Sequence, residues 1–179
     1  MGLLAILASS VVVLTNMGFT VGYDTATRQP SWVAYDLEPC EVLRMKRVPH
    51  GFHEDKRVPK SGMADFYKVF GSMYDRGHYA PAADFNWNTN ALDATYLFTN
   101  ISPMTPKLNR GAWLDHENEV RRLAESGTVH VVIFPNWEGD DDEFRKMELD
   151  APCVLVPSGF TKVAWGWFGV RVWKERNEP

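Results

Sequence analysis

The segment Asp75-Arg76-Gly77-His78 brings together groups that hydrolysis of a phosphate ester would use. Such a reaction needs a base to deprotonate water, a cation against the charge of the transition state, and help for the departing oxygen. The His78 imidazole is suited to the first task because the ordinary pKa of histidine lies near neutrality. Arg76 offers a planar fork of donors that matches phosphate, and Gly77 lets the backbone approach closely. Four residues are a weak signal, and an isolated histidine is as readily a satisfied structural residue.

A second stretch adds to the first. Residues 109 to 126 contain no proline, stop before Gly127, and carry Trp113, Val120, Leu123 and Ala124 at helical spacing, which predicts one long helix. At about 100° per residue, Asn109, Trp113 and Glu117 lie at roughly 0°, 40° and 80° around its axis. Glu117 therefore borders the apolar stripe, where a carboxylate needs a cation or several donors. Asn109, in the first turn, could cap the helix with its side chain. Its carbonyl oxygen could equally hold a hard cation such as Mg²⁺, which keeps several waters and needs few protein ligands. Glu117 could then orient a metal-bound water from one shell further out.

The elements that must position these groups are legible in part. Val11 to Leu14 is β-branched and continuous, Phe19 to Tyr23 alternates, and Ser31 to Leu37 alternates again, so the first third reads as strands. Residues 38 to 62 are polar and punctuated by Pro39, Pro49, Gly51 and Pro59, a long irregular connection. Met63 to Tyr67 reads as a short helical turn, and Ala91 to Phe98 fits helix and strand equally. Further strands are expected over Thr128 to Phe134, Cys153 to Val156 and Gly169 to Trp173. The outline is a mixed α+β arrangement, a twisted sheet with one long helix against it.

Four blocks in order carry a resemblance. Asp75-Arg76-Gly77-His78 is followed by Thr99-Asn100-Ile101-Ser102-Pro103-Met104, then Leu108-Asn109, then Gly111-Ala112-Trp113 with Glu117 and Arg121 beyond. In these blocks the chain resembles the DNA/RNA non-specific endonucleases of the ββα-metal type. Weaker similarity runs from Gly22-Tyr23 through Val156-Pro157-Ser158-Gly159-Phe160-Thr161-Lys162-Val163. The resemblance implies a ββα-metal nuclease fold, a central, mostly antiparallel sheet with a long metal-site helix packed on it. It further implies His78 as general base, Asn109 as the sole direct protein ligand of Mg²⁺ (Mn²⁺ or another divalent ion being acceptable), and Glu117 acting through metal-bound water. Arg76 would stabilise the phosphate in the transition state, Asn100 would support the site from the preceding segment, and Arg121 and Arg47 would contact phosphates. Asp75 would be mainly structural. DNA and RNA would be the substrates, the products 5′-phosphates, and a homodimer or a protein inhibitor would be compatible partners. Where members often turn at Gly-Pro after a strand, this chain has Val132-Ile133-Phe134-Pro135.

Composition bounds the reading. The 179 residues include 45% hydrophobic and 13% aromatic, enough for one packed core, so residues 1–179 are read as one domain and disorder is set aside. The formal charge of −4 sits awkwardly with a polyanionic substrate. Its distribution matters more. Arg44, Lys46, Arg47, Lys56, Arg57 and Lys60 form a basic stretch, whereas Glu138, Asp140, Asp141, Asp142 and Glu143 concentrate the opposite sign and lack the EF-hand order of ligands. Cys40 and Cys153 have no zinc-ligand spacing, and their pairing is left open. Residues 1–10 resemble a signal-peptide core without a basic start, so export and retention both stand. Leu3 to Leu14 is shorter than the roughly 20 residues that span a bilayer, and no membrane partner is expected. His50, His53, His116 and His130 read as surface or structural residues. Two other classes fit less well: a catalytically silent nucleic-acid- or inhibitor-binding derivative, which needs none of the His78, Asn109, Glu117 and Arg76 set, and a small-substrate phosphodiesterase, which would need a narrow closed pocket.

Overall fold

The alternating runs of the first third form a meander of β1 (Val11–Thr15), β2 (Phe19–Asp24) and β3 (Gln29–Leu37), paired antiparallel in sequence order. The structure is a computed structural model that describes residues 11–25, 27–42, 50–58, 67–68, 71–137 and 154–178. Arg47 and its basic neighbours Arg44, Lys46 and Lys60, most of the expected turn at Met63, the acidic run 138–143 and Cys153 lie outside those residues. Cys40 is an exposed free thiol.

After β3 the chain leaves the sheet and returns as β6 (Val129–Asn136), then β7 (Gly159–Gly166) and β8 (Gly169–Arg176). The six strands lie in the order β1-β2-β3-β6-β7-β8, each pair antiparallel. Val33 pairs with Ile133 and Leu37 with Val129, and the β3–β6 pairing ends at Val33 although β3 itself begins at Gln29. Pro135 thus falls beyond that pairing, and its missing N–H costs no bond to β3. The strand expected at Cys153 to Val156 is not one over its described residues; β7 begins at Gly159 instead.

The excursion between β3 and β6 carries the site. It contains β4 (Asp75–His78), α1 (Thr89–Thr95), a 3-10 turn at Phe98–Asn100, β5 (Ile101–Met104), α2 (Pro106–Arg110) and α3 (Ala112–Ala124). Ala91 to Phe98, ambiguous by periodicity, is mostly helix, begun by Asn88, whose side chain accepts from the N–H groups of Asn90 and Ala91.

The long helix is where the apolar spacing put it, with Trp113, Val120 and Ala124 buried against the sheet residues Leu37, Val131, Phe160 and Ala164. It does not begin at Asn109. The backbone breaks at Gly111, at φ −109° and ψ −115°, and a Cβ there would run into the carbonyl oxygen of Lys107. Asn109 consequently belongs to the short preceding helix α2, whose cap is Thr105, and neither the single wheel nor the capping role for Asn109 holds. No described helix is long and apolar enough to cross a membrane.

Candidate active site

His78 ends β4, which pairs antiparallel with β5 so that His78 stands opposite Ile101 and Gly77 opposite Ser102. A Cβ on Gly77 would collide with the Met104 side chain, so glycine is what lets β4 lie down on the core. Gly77→Ala is expected to cost about 1–3 kcal/mol through overpacking, read as a lower midpoint in urea; an unchanged midpoint would count against this tight pairing. The His78 ring meets Phe52 at 5.4 Å and the edge of Tyr96 at 5.3 Å, while its carbonyl accepts from the Trp113 indole at 3.3 Å.

Asn100 supports this strand from beneath. Fully buried, it accepts from Ala80 N–H at 3.0 Å and donates to the carbonyls of Ala80 and Thr95 at 2.9 Å each. With its own carbonyl taking the Tyr79 N–H at 3.0 Å, it fixes the chain directly after His78. Its side-chain bonds all go to backbone groups that hold the chain next to His78.

Asp75, at the other end of β4, orients the Asn109 amide. Asn109 Nδ2 donates to Asp75 Oδ2 at 3.0 Å, and Arg110 grips the same carboxylate through Nε at 2.8 Å and Nη2 at 2.7 Å. The Arg110 hydrogen bonds, joined by that of Asn109 and opposed by partial burial, hold the Asp75 carboxyl below its ordinary range. With the amide nitrogen committed, Asn109 Oδ1 is the atom left for a ligand. This matches the structural role expected of Asp75.

The third contribution comes from α3. Glu117 follows Trp113 by one turn and faces a cleft of about 490 Å³ that His78, Asn109 and Arg121 also line. Burial pushes its carboxyl up to about 7, with Lys162 opposing, Asp84 reinforcing and Arg121 opposing. Lys162 arrives from β7, wholly enclosed, its Nζ 4.2 Å from the centre of the Trp113 ring. Burial pulls its amine down, against the pull of Glu117 and Asp84. Arg121 is also nearly enclosed: it binds the buried Asp84 at 2.6 Å and Asn118 at 2.9 Å, and Asp84 accepts from the Tyr35 hydroxyl at 3.0 Å. It lines the cleft with one Nη bonded to Asp84 and the other to Asn118.

Arg76 lies apart from that cleft. Its guanidinium sits 5.2 Å from the Phe52 ring and 4.9 Å from the Tyr67 ring, in a neighbouring pocket of about 280 Å³. Asn109 and Arg110 line both hollows, so Arg76 and His78 flank this segment from two sides. Sequence reasoning missed Arg110, Asp84, Lys162 and the cleft residue Asn86. Only Arg110 had a local signal, its place next to Asn109. The other histidines lie elsewhere: His116 bonds Glu175 at 2.7 Å, His130 bonds Asp36 at 2.7 Å, His53 lies 3.5 Å from Asp93, and His50 stacks on Tyr96.

Among the described residues no three His, Cys, Asp or Glu side chains gather as a metal cluster. A neutral carbonyl oxygen beside a carboxylate is instead a donor set for a hard cation that retains most of its water. The family model for DNA/RNA non-specific endonuclease matches residues 6–167. The chain belongs to that family. Among its relatives, mitochondrial endonuclease G of Bos taurus is 35% identical over 92% of this chain and 59% of its own length. Mitochondrial endonuclease G of Homo sapiens is 33% identical over 90% of this chain and 58% of its own length. A nuclease of Nostoc is 33% identical over 66% of this chain and 43% of its own. The chain thus spans well under two thirds of these endonuclease family members. A chain in the crystal structure of the EndoG/EndoGI complex superimposes with a TM-score of 0.81 at 26% identity, over 93% of this chain and 74% of that one. The family fold is the α+β arrangement expected, a mostly antiparallel sheet with a long helix.

Proposed function

We propose that this chain is a divalent-metal-dependent endonuclease that hydrolyses phosphodiester bonds in both DNA and RNA, leaving 5′-phosphate ends. The observation that carries the reading is the convergence of His78, Asn109 and Glu117 on one cleft, with the Asn109 amide pre-oriented by Asp75. Family membership and the endonuclease G relatives support the substrate class. In this reading His78 takes a proton from the attacking water, and Asn109 Oδ1 would hold Mg²⁺ with Glu117 orienting a water bound to it. The metal supplies positive charge beside the phosphate oxygens. Arg76 and Arg110 approach the same phosphate from the adjoining pocket, and because contacts of this kind read the backbone and not the bases, sugar and sequence count for little. A protein inhibitor is a compatible partner, a reading that the likeness to a chain of the EndoG/EndoGI complex supports.

The test is incubation with supercoiled plasmid and with structured RNA, in Mg²⁺ or in EDTA, alongside Asn109→Ala. Both polymers are expected to be cut in Mg²⁺ and spared in EDTA, with Asn109→Ala needing far more metal. Wild-type protein that leaves both intact in Mg²⁺ overturns the reading, and cleavage of a small diester alone would favour the narrow-pocket phosphodiesterase.

A further inference from the structure

The metal-ligand helix cannot hold its own position. α2 has only five residues, Pro106–Arg110, below the length at which a helix is stable without help. The N–H of Asn109 bonds the carbonyl of Thr105 at 2.9 Å, and the Thr105 side chain takes the Leu108 N–H at 3.4 Å, so the place of Asn109 is set by where Thr105 stands. Thr105 is 2% exposed and lies between the β5 residue Pro103 and Pro106, neither of which has an N–H to anchor the turn.

The anchor comes from beyond β8. Asn177, 8% exposed, accepts the Thr105 N–H through Oδ1 at 2.8 Å. Its Nδ2 donates to Pro103 at 2.9 Å and to Pro157 at 3.0 Å, and its own N–H bonds the Ser158 carbonyl at 2.8 Å. One amide therefore fastens the cap of α2, the end of β5 and the approach to β7. Pro103 pairs with Arg76 across β4–β5, so the same bond reaches the strand that carries His78. Asparagine suits this place because one short side chain supplies an acceptor and two donors. Aspartate would keep the acceptor and set an anion against two carbonyl oxygens, and glutamine would be a methylene too long.

We infer that Asn177 is a positioning residue for the metal site, holding Asn109 through Thr105 without touching metal or substrate. This rests on the reading of Asn109 as the metal ligand. Loss of the bond lets α2 shift against the Asp75 carboxylate, so metal affinity falls.

Mn²⁺ binding, followed by the electron paramagnetic resonance of the free ion, tests this independently of turnover. Asn177→Ala and Asn177→Asp are expected to weaken Mn²⁺ binding by about 10–100-fold, the range for groups that orient a metal ligand. The metal concentration for half-maximal cleavage should rise in parallel, with kcat recovering at high metal. Leu14→Ala, which truncates a buried side chain in β1 at the sheet edge opposite β8, controls for lost stability and should leave Mn²⁺ affinity alone. Should one Asn177 variant fail to fold, the other carries the measurement. Unchanged Mn²⁺ affinity in a folded variant, with only a lower melting temperature, overturns the inference alone. Wild-type protein that binds no Mn²⁺ overturns it together with the reading beneath it, whereas wild-type protein that binds Mn²⁺ but cuts neither polymer sinks only the endonuclease reading.

Discussion

Replacing His78 with alanine is expected to slow single-turnover plasmid cleavage by about 10²–10⁴-fold, the contribution of a positioned acid-base side chain. The size follows from what surrounds it: the other polar side chains lining the cleft are the amides of Asn86 and Asn109, the guanidiniums of Arg110 and Arg121, and the Glu117 carboxyl, which in the proposed mechanism serves the metal's water. The fold should survive the change. The bond that ties this point of β4 to α3 uses the His78 carbonyl, which alanine retains, and Asn100 holds the following residues through backbone groups. What is lost is ring contact with Phe52 and Tyr96, a modest packing effect on a part-buried side chain. A variant that cleaves within threefold of wild type, with an unchanged metal requirement, would remove His78 from the mechanism.

The second large effect has opposite signs in activity and stability. Glu117→Gln is expected to cut the rate about 10–100-fold by loosening the metal's water shell. In metal-free protein the same change should raise the melting temperature at pH 8. The Glu117 carboxyl is pushed up to about 7, first by burial and then by Asp84, against the opposing pull of Lys162 and Arg121. Its ordinary value in the unfolded chain is 4.5, so the folded form binds a proton more tightly. The stability this confers is complete below about pH 4.5 and is lost as pH rises through about 7. At pH 8 in EDTA the folded wild type therefore carries a carboxylate whose burial Lys162 and Arg121 offset only in part, and glutamine removes what is left of that cost. The advantage of Glu117→Gln should fade as pH is lowered to 4. Added Mg²⁺ should reverse the order, because metal that binds only the folded state raises wild-type stability most. Melting curves with and without EDTA at the two pH values decide it, and a wild type more stable than Glu117→Gln in EDTA at pH 8 would contradict the burial assigned to this carboxylate.

Much of this arrangement could be read from order and spacing along the chain. Strands β1 to β3 and β6 declare themselves because alternation and β-branching report directly on which face is buried. Trp113, Val120 and Ala124 mark α3 in the same way, and Glu117 beside that stripe is recognisable as a carboxylate in need of a partner. The blocks around His78, Asn100 and Asn109 named the residues on which the proposed chemistry depends. All of these signals are local, since side-chain type at fixed spacing tells which surface a segment must bury.

What only the tertiary structure decided are the relations between segments. Periodicity ran one helix through Gly111, and the carbonyl that forbids a side chain there became visible only once the backbone was built. Arg76 and His78, two residues apart on one strand, serve different hollows because Phe52 and Tyr67 from outside the motif claim the guanidinium. Lys162 beneath Trp113, Asp84 beneath Arg121 and Asn177 behind Thr105 come from distant stretches, and no local pattern marks a lysine or an asparagine as buried. Sequence alone determined which side chains were available for chemistry. The close-packed interior determined which of them share a cleft and which have their charges and donors already taken, because those bonds form between residues that approach one another only after the sheet has closed.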